Sequence, residues 1–165
     1  MSDVKRKLHP AVVNTAGVAV LAIAIDQLVK WYCISVLGLN DDGREPIIVT
    51  GFFKLVMVWN YGISFGMLAH PGTYVPWFLK GVALVISGVV AWLAYKSAYR
   101  WEQVAYGLII GGALGNVIDR VRFGAVADFF YFHIGEHYWP AFNIADAAIF
   151  CGVALLVVLS FGGRK

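Results

Sequence analysis

Asp26, Lys30, Asn60, Asn116, Asp119, Arg120, Asp128, Asn143 and Asp146 stand within or beside apolar stretches where polar side chains are scarce. An ionisable group at membrane depth costs about 2.5–3.5 kcal/mol on insertion scales, so such a residue marks function by default. Asp128 and Asp146 are lone carboxylates next to the ends of apolar runs. Two carboxylates held close together in low dielectric cannot both ionise, and one proton is shared near neutral pH. The ionised member can take a proton from water, which then attacks a peptide carbonyl. The protonated member can polarise the carbonyl oxygen and later protonate the leaving amine. Asn116 and Asn143 carry amides able to orient such a pair or to hold a substrate backbone. That chemistry requires no covalent nucleophile, metal or cofactor.

The 165 residues are 60% hydrophobic and 14% charged, with a net charge of +3. Soluble domains carry nearer ~25% charged residues, so this composition belongs to an integral membrane protein and gives no footprint for nucleic acid. Four stretches approach the ~20 apolar residues that a bilayer crossing needs: about Val12 to Leu37, about Tyr74 to Tyr95, roughly Val104 to Ile118, and Phe142 to about Phe161. In the third, Gly111-Gly112-Ala113-Leu114-Gly115 permits close helix approach. The expected architecture is a single membrane-embedded domain over residues 1–165, all-α, with four transmembrane helices. Cys33 and Cys151 both lie in apolar stretches and read as small buried hydrophobes.

Basic residues set the orientation. Lys5, Arg6 and Lys7 precede the first span, Lys96 and Arg100 fill the turn between the second and third, and Arg164 and Lys165 follow the fourth. Four crossings bring these clusters to one side, which the positive-inside rule makes the cytoplasm, with both termini there. The opposite side carries a β-rich segment at about 40–66 and a second segment at about 121–141 that is expected to lie along the interface. Lys5–Lys7 followed by an apolar run also fits a signal peptide ending near Ala22-Ile23-Ala24, but the run continues past that point, so the first span is expected to be retained.

With this topology, Asp26 and Lys30 fall in the outer half of span one, one turn apart on one face. Asn116, Asp119 and Arg120 end span three on one face, and Asn143 and Asp146 begin span four. Three helices thus bring polar faces to the same depth. Asn60-Tyr61-Gly62 reads as a turn at the mouth of span two. Asp26 and Lys30 fit either a structural ion pair or direct substrate contact, and Arg120 is expected to give structural support. Trp59, Trp77 and Trp139 suit an interfacial belt, and Lys80 a snorkelling position.

Two other chemistries compete with a carboxylate pair. His133-Ile-Gly-Glu136-His137 fits the H-x-x-E-H zinc pattern, which needs a helix that Gly135 and Pro140 disfavour. A proton relay or transporter would spread its acids through the membrane to link both faces, whereas these stop in one half.

Five blocks in order resemble lipoprotein signal peptidase, also called signal peptidase II, the bacterial aspartyl peptidase of the inner membrane. They are Asp26-x-x-x-Lys30, Asn60-x-Gly62-x-x-Phe65-Gly66, Gly112-Ala113-Leu114-Gly115-Asn116-x-x-Asp119-Arg120, Val126-x-Asp128-Phe129 and Phe142-Asn143-x-Ala145-Asp146. The resemblance implies that Asp128 and Asp146 are the catalytic dyad. It also implies that Asp26, Lys30, Asn60, Gly62, Asn116, Arg120 and Asn143 support the site or contact substrate. The substrate it implies is a diacylglyceryl-modified prolipoprotein, cut on the amino side of the lipidated cysteine near the periplasmic face. Membrane lipids and cyclic peptide inhibitors of the globomycin type are the implied partners, and no metal or cofactor is implied.

Overall fold

A computed structural model of the chain describes residues 9–62 and 75–161, and in the second range the side chains from 77 onward. Helix α1 runs Pro10–Trp31 and continues through a π-helical turn, Tyr32–Val36. Proline suits its first position because that N–H has no intrahelical acceptor, and His9 Nδ1 accepts from the Ala11 N–H at 3.3 Å. Gly38, at φ +62°, turns the chain out of this helix. Helices α2 (Val75–Lys96), α3 (Arg100–Arg122) and α4 (Ile144–Phe161) complete the bundle. All four spans are long and apolar enough to cross a membrane.

Helix α3 is the central helix. In its most apolar window 44% of residues are buried inside the protein, against 11–17% in the other three, whose outer faces are lipid-ready Val, Leu, Ile and Phe. The glycine run makes this possible. A Cβ on Gly111 would stand 2.7 Å from the Ala19 carbonyl oxygen of α1. On the other side of α3, a Cβ on Gly112 would collide with the Ala145 carbonyl oxygen of α4. Backbones that close need small residues on both partners, and Ala19, Ala22 and Ala145 supply them.

Helix α3 exceeds the expected third span by four residues at each end. Glu102 and Gln103 interrupted the apolar run in sequence, yet both are partnered in the fold. Ser97 Oγ donates to Glu102 Oε2 at 2.6 Å. Gln103 accepts from Asn14 Nδ2 at 2.9 Å and donates to the Ser97 carbonyl at 3.0 Å. Satisfied polar groups do not end a helix.

At the end of the bundle where α1 and α3 finish and α4 begins lies an antiparallel sheet of order β1-β2-β3-β4. Its strands are β1 (Ile47–Thr50), β2 (Phe53–Asn60), β3 (Val126–Ile134) and β4 (His137–Phe142). The expected β-rich segment at 40–66 is present as β1 and β2, although Ile63–Gly66 lie outside the described residues. The segment at 121–141, expected to lie along the interface, holds two strands that extend the same sheet, so the fold is a helical bundle with a four-stranded sheet at one end.

Gly124 (φ +76°) and Gly135 (φ +58°) serve as turns flanking β3. Pro140 fits because β4 is an edge strand, where a missing N–H costs no ladder bond. The sheet is held by ring contacts, including Phe53–Phe132 at 4.6 Å and Phe130–Phe142 at 5.7 Å. Beneath it, Phe129 packs with Cys33 and Leu39 at the end of α1. Cys33 is buried as expected, but Cys151 is exposed on α4, 118 positions from it in a different region of the chain.

The packing generates a stability prediction. Gly111→Val or Gly112→Val forces α3 off a neighbouring backbone, and overpacking of this kind costs about 1–3 kcal/mol. Each is expected to lower the thermal midpoint in detergent by several degrees. Gly88→Val on α2, where a Cβ meets nothing within 4 Å, is expected to leave it unchanged.

Candidate active site

Asp128 is the third residue of β3 and pairs with Val58 of β2. The register of β2 against β3 slips between Leu55 and Val58, beside that pair, and such a bulge re-aims the side chains around it. Asn60, the last residue of β2, reaches across and donates from Nδ2 to Asp128 Oδ2 at 3.1 Å. Its own Oδ1 accepts from the Gly62 N–H at 3.1 Å, closing a turn.

Asn143 and Asp146 begin α4 as a reciprocal cap. The Asp146 N–H donates to Asn143 Oδ1 at 3.0 Å, and the Asn143 N–H donates to Asp146 Oδ2 at 3.3 Å. This is the logic of a capping box, with an asparagine at the cap and an aspartate three residues on. Asn143 therefore precedes the helix, and the fourth span opens at Ile144 instead of Phe142.

The remaining valences of these two residues build the site. Asn143 Nδ2 donates to Asp128 Oδ1 at 2.7 Å and lies 3.2 Å from Asn116 Oδ1 and 3.3 Å from the Ala127 carbonyl. Asn116 Nδ2 donates to Asp146 Oδ1 at 2.8 Å. One fully buried asparagine thus touches both aspartates, and a second braces the pair from α3. Asp128 is 2% exposed, whereas Asp146 is only half-buried and faces open space.

That difference has an electrostatic consequence. Burial first, and then the negative charge of Asp146, push the Asp128 carboxyl up to about 7. Hydrogen bonds from Asn60 and Asn143 and the positive charge of Lys30 oppose the rise without cancelling it.

Two open spaces meet at Asp146. A cleft of about 360 Å³ is bounded by Asn60, Gly62, Asn116 and Arg120 on its polar side and by α2 residues such as Val82 and Ile86. A groove of about 640 Å³ runs along the outside of α4, between Trp139 and Phe142 of β4 and Phe150 and Val153. Arg120 Nη2 donates to the Gly62 carbonyl at 3.2 Å and so fastens the turn after β2 to α3.

Asp26 and Lys30 form the expected turn-spaced ion pair, at 2.8 Å, and they do not face the cleft. They are 0% and 2% exposed. Lys30 makes a second ion pair, 2.7 Å to Asp119 Oδ2. Asp119, placed by the sequence at the end of span three, is fully buried and central to this cluster. Gln27 was not singled out in sequence at all. Its Nε2 donates to Asp119 Oδ1 at 2.9 Å and Asp26 Oδ2 at 3.1 Å. The signal was present, since an amide next to Asp26 inside an apolar span is itself anomalous.

His133 and His137 fall on β3 and β4 around the Gly135 turn, so the helix that the zinc pattern needs does not form there. Among the described residues no three His, Cys, Asp or Glu side chains are grouped to hold a metal ion. Lys80 places its Nζ 3.4 Å over the Trp77 ring, and Trp77 and Trp139 are exposed.

The architecture and sequence both have counterparts. The family model described as signal peptidase (SPase) II matches residues 18–162. Lipoprotein signal peptidase of Azoarcus sp. strain BH72 is 44% identical, covering 95% of this chain and 89% of its own. That of Aeromonas hydrophila is 42% identical over 95% and 93%, and that of Serratia marcescens 39% over 100% and 94%. A bacterial membrane enzyme solved by the in meso method at 2.3 Å superposes with a TM-score of 0.76 at 27% identity, covering 91% of this chain and 88% of that one. With the matched family spanning nearly the whole length, from the middle of α1 to the end of α4, this chain belongs to the signal peptidase II family.

Proposed function

We propose that this chain is an aspartic endopeptidase of the bacterial inner membrane that removes the signal peptide from diacylglyceryl-modified prolipoproteins, cutting on the amino side of the lipidated cysteine. The whole chain, 1–165, is one peptidase domain. The observation that carries this reading is the single asparagine amide joining Asp128 to Asp146, with one acid buried and the other facing the cleft.

In this mechanism Asp128 carries the proton at rest, because burial and its neighbour's charge favour the neutral form. Asp146 serves as the base, and Asn116 holds one of its oxygens so that the other faces the cleft. A water hydrogen-bonded to Asp146 loses its proton there as its oxygen attacks the scissile carbonyl carbon. Asp128 donates a hydrogen bond to the carbonyl oxygen as charge develops. The proton gathered by Asp146 then passes to the leaving amine, the C–N bond breaks, and both acids return to their starting states.

The extended peptide around the scissile bond lies along the cleft, held by the turn at Asn60 and Gly62 that Arg120 braces. Cyclic peptides of the globomycin type compete for the same space. Surrounding membrane lipids wet the exposed faces of α1, α2 and α4. Both termini are cytoplasmic and the sheet is periplasmic. Lys96 and Arg100, at the end of the bundle away from the sheet, support that orientation, while the basic clusters at 5–7 and 164–165 lie outside the described residues. A proton relay fits less well, because the buried acids Asp26, Asp119 and Asp128 gather at one end of the bundle.

Three outcomes test this reading. Asp128→Asn and Asp146→Asn are each expected to lower turnover of a diacylglyceryl prolipoprotein by roughly 10²–10⁴-fold while a chelator leaves the parent enzyme unaffected; near-parental activity in both variants would refute the dyad. Because activity requires the proton on Asp128, kcat/KM is expected to fall as pH rises through about 7. A profile flat from pH 6 to 9 would contradict the proton assignment. A single-cysteine variant at Tyr138, an exposed residue of β4, is expected to react with a membrane-impermeant thiol reagent added to the periplasm; labelling solely from the cytoplasmic side would reverse the orientation.

A further inference from the structure

Two hydrogen bonds outside the cleft end on the residues immediately before the two aspartates. Asp119 Oδ2 accepts from the Ala127 N–H at 3.2 Å, and Ala127 precedes Asp128. Asp26 Oδ1 accepts from the Ala145 N–H at 2.9 Å, and Ala145 precedes Asp146. Between these carboxylates sits the Lys30 ammonium, 2.8 Å from Asp26 Oδ2 and 2.7 Å from Asp119 Oδ2. The three groups are at most 2% exposed, so they meet neither the cleft nor bulk water.

We propose that the Asp26–Lys30–Asp119 cluster is a positioning device for peptide cleavage: one buried ammonium holds two carboxylates, and each carboxylate fixes the backbone beside one aspartate of the dyad. This rests on the dyad reading above and assigns the cluster a task within it. Asn143 links the two acids directly, and the cluster grips the same two segments a second time from behind.

The cluster grips each at the peptide group next to the working residue. Ala145 is the second residue of α4, and its N–H has no intrahelical acceptor. Asp26 supplies one from α1. Asp119 does the same for β3 from α3. Bonds to a charged acceptor are shorter and roughly twice as strong as neutral ones, which suits a fixed spacing. Gln27 adds an uncharged cross-tie between the same two carboxylates. Gly115 leaves room for the assembly, since a Cβ there would stand 2.8 Å from Asp26 Oδ2. Asp26, Lys30 and Asp119 are therefore positioning residues that act through Ala127 and Ala145 and do not touch the substrate.

The test compares Lys30→Met with the triple variant Asp26→Asn/Lys30→Met/Asp119→Asn, in detergent, on a diacylglyceryl prolipoprotein, with the parent enzyme and Asp128→Asn alongside. Lys30→Met leaves two buried carboxylates without a cation and is expected to lose its thermal midpoint as well as activity. The triple variant carries no charge in this cluster and keeps the side-chain volumes. It is expected to recover the parental midpoint, yet to show kcat reduced at least about 30-fold with KM within about threefold. Recovery of kcat together with the midpoint would overturn the proposal, because fold support alone would then explain the cluster. A raised KM at unchanged kcat would also overturn it, by placing the cluster in substrate binding. Should neither variant insert, Asp119→Asn, which removes one charge and keeps one acceptor, is read by the same split. Parental turnover in Asp128→Asn would remove the dyad itself and this proposal with it, whereas an inactive Asp128→Asn beside a fully active triple variant would remove the positioning role alone.

Discussion

The Asn143 side chain, wholly buried where β4 ends and α4 begins, donates to Asp128 and accepts from the Asp146 backbone. An asparagine suits the place because it offers two donors and an acceptor within one planar group and carries no charge to disturb the acids. A charged residue there would either neutralise the dyad or repel it. Asn143 also makes the helix start and the active site one object. The cap that orders the first turn of α4 is the same pair of residues that aims Asp146. Helix formation and site assembly are thereby coupled, and loss of this amide would disturb both.

Around that joint, low dielectric decides what is tolerated. Among the described residues each buried charged group has a partner, as burial of an unpaired ion would cost several kcal/mol. Asp26 and Asp119 share Lys30, and Asp128 receives two amide hydrogen bonds and a raised affinity for its proton. The sheet matters because it carries Asp128 on a rigid strand, fastened to β2 on one side and β4 on the other. The bundle matters because the glycine face of α3 draws α1 and α4 close enough for three helices and a strand to reach one point. Asp146, reached by two open spaces, is the part of this assembly left accessible.

Much of this was legible in the residues. Spans one, two and four show as apolar runs because lipid-facing helices tolerate little else, and their bounds hold to within a few residues. The convergence of Asp26, Lys30, Asn116, Asn143 and Asp146 followed from helical spacing plus alternation of direction. The extent of α3 did not, because Glu102 and Gln103 look like breaks until their partners in Ser97 and Asn14 are seen. Strands β3 and β4 were hidden for a different reason. The first four residues of β3 are all buried, so no polar alternation marks it, and Gly124, Gly135 and Pro140 read as disruption when they form turns and an edge. Asp119 and Gln27 needed the register of α1 against α3, which spacing along a single helix does not give.

The central claim is that Asp128 carries the proton of the pair below about pH 7. Infrared difference spectroscopy of the detergent-solubilised enzyme, comparing the parent with Asp128→Asn across a pH series, reads this directly through the carbonyl stretch of a protonated carboxyl. The expected result is one such band at pH 6 that disappears in Asp128→Asn and titrates away near 7 in the parent. A parent enzyme without that band at pH 6, or with a band that survives Asp128→Asn unchanged, would contradict the account.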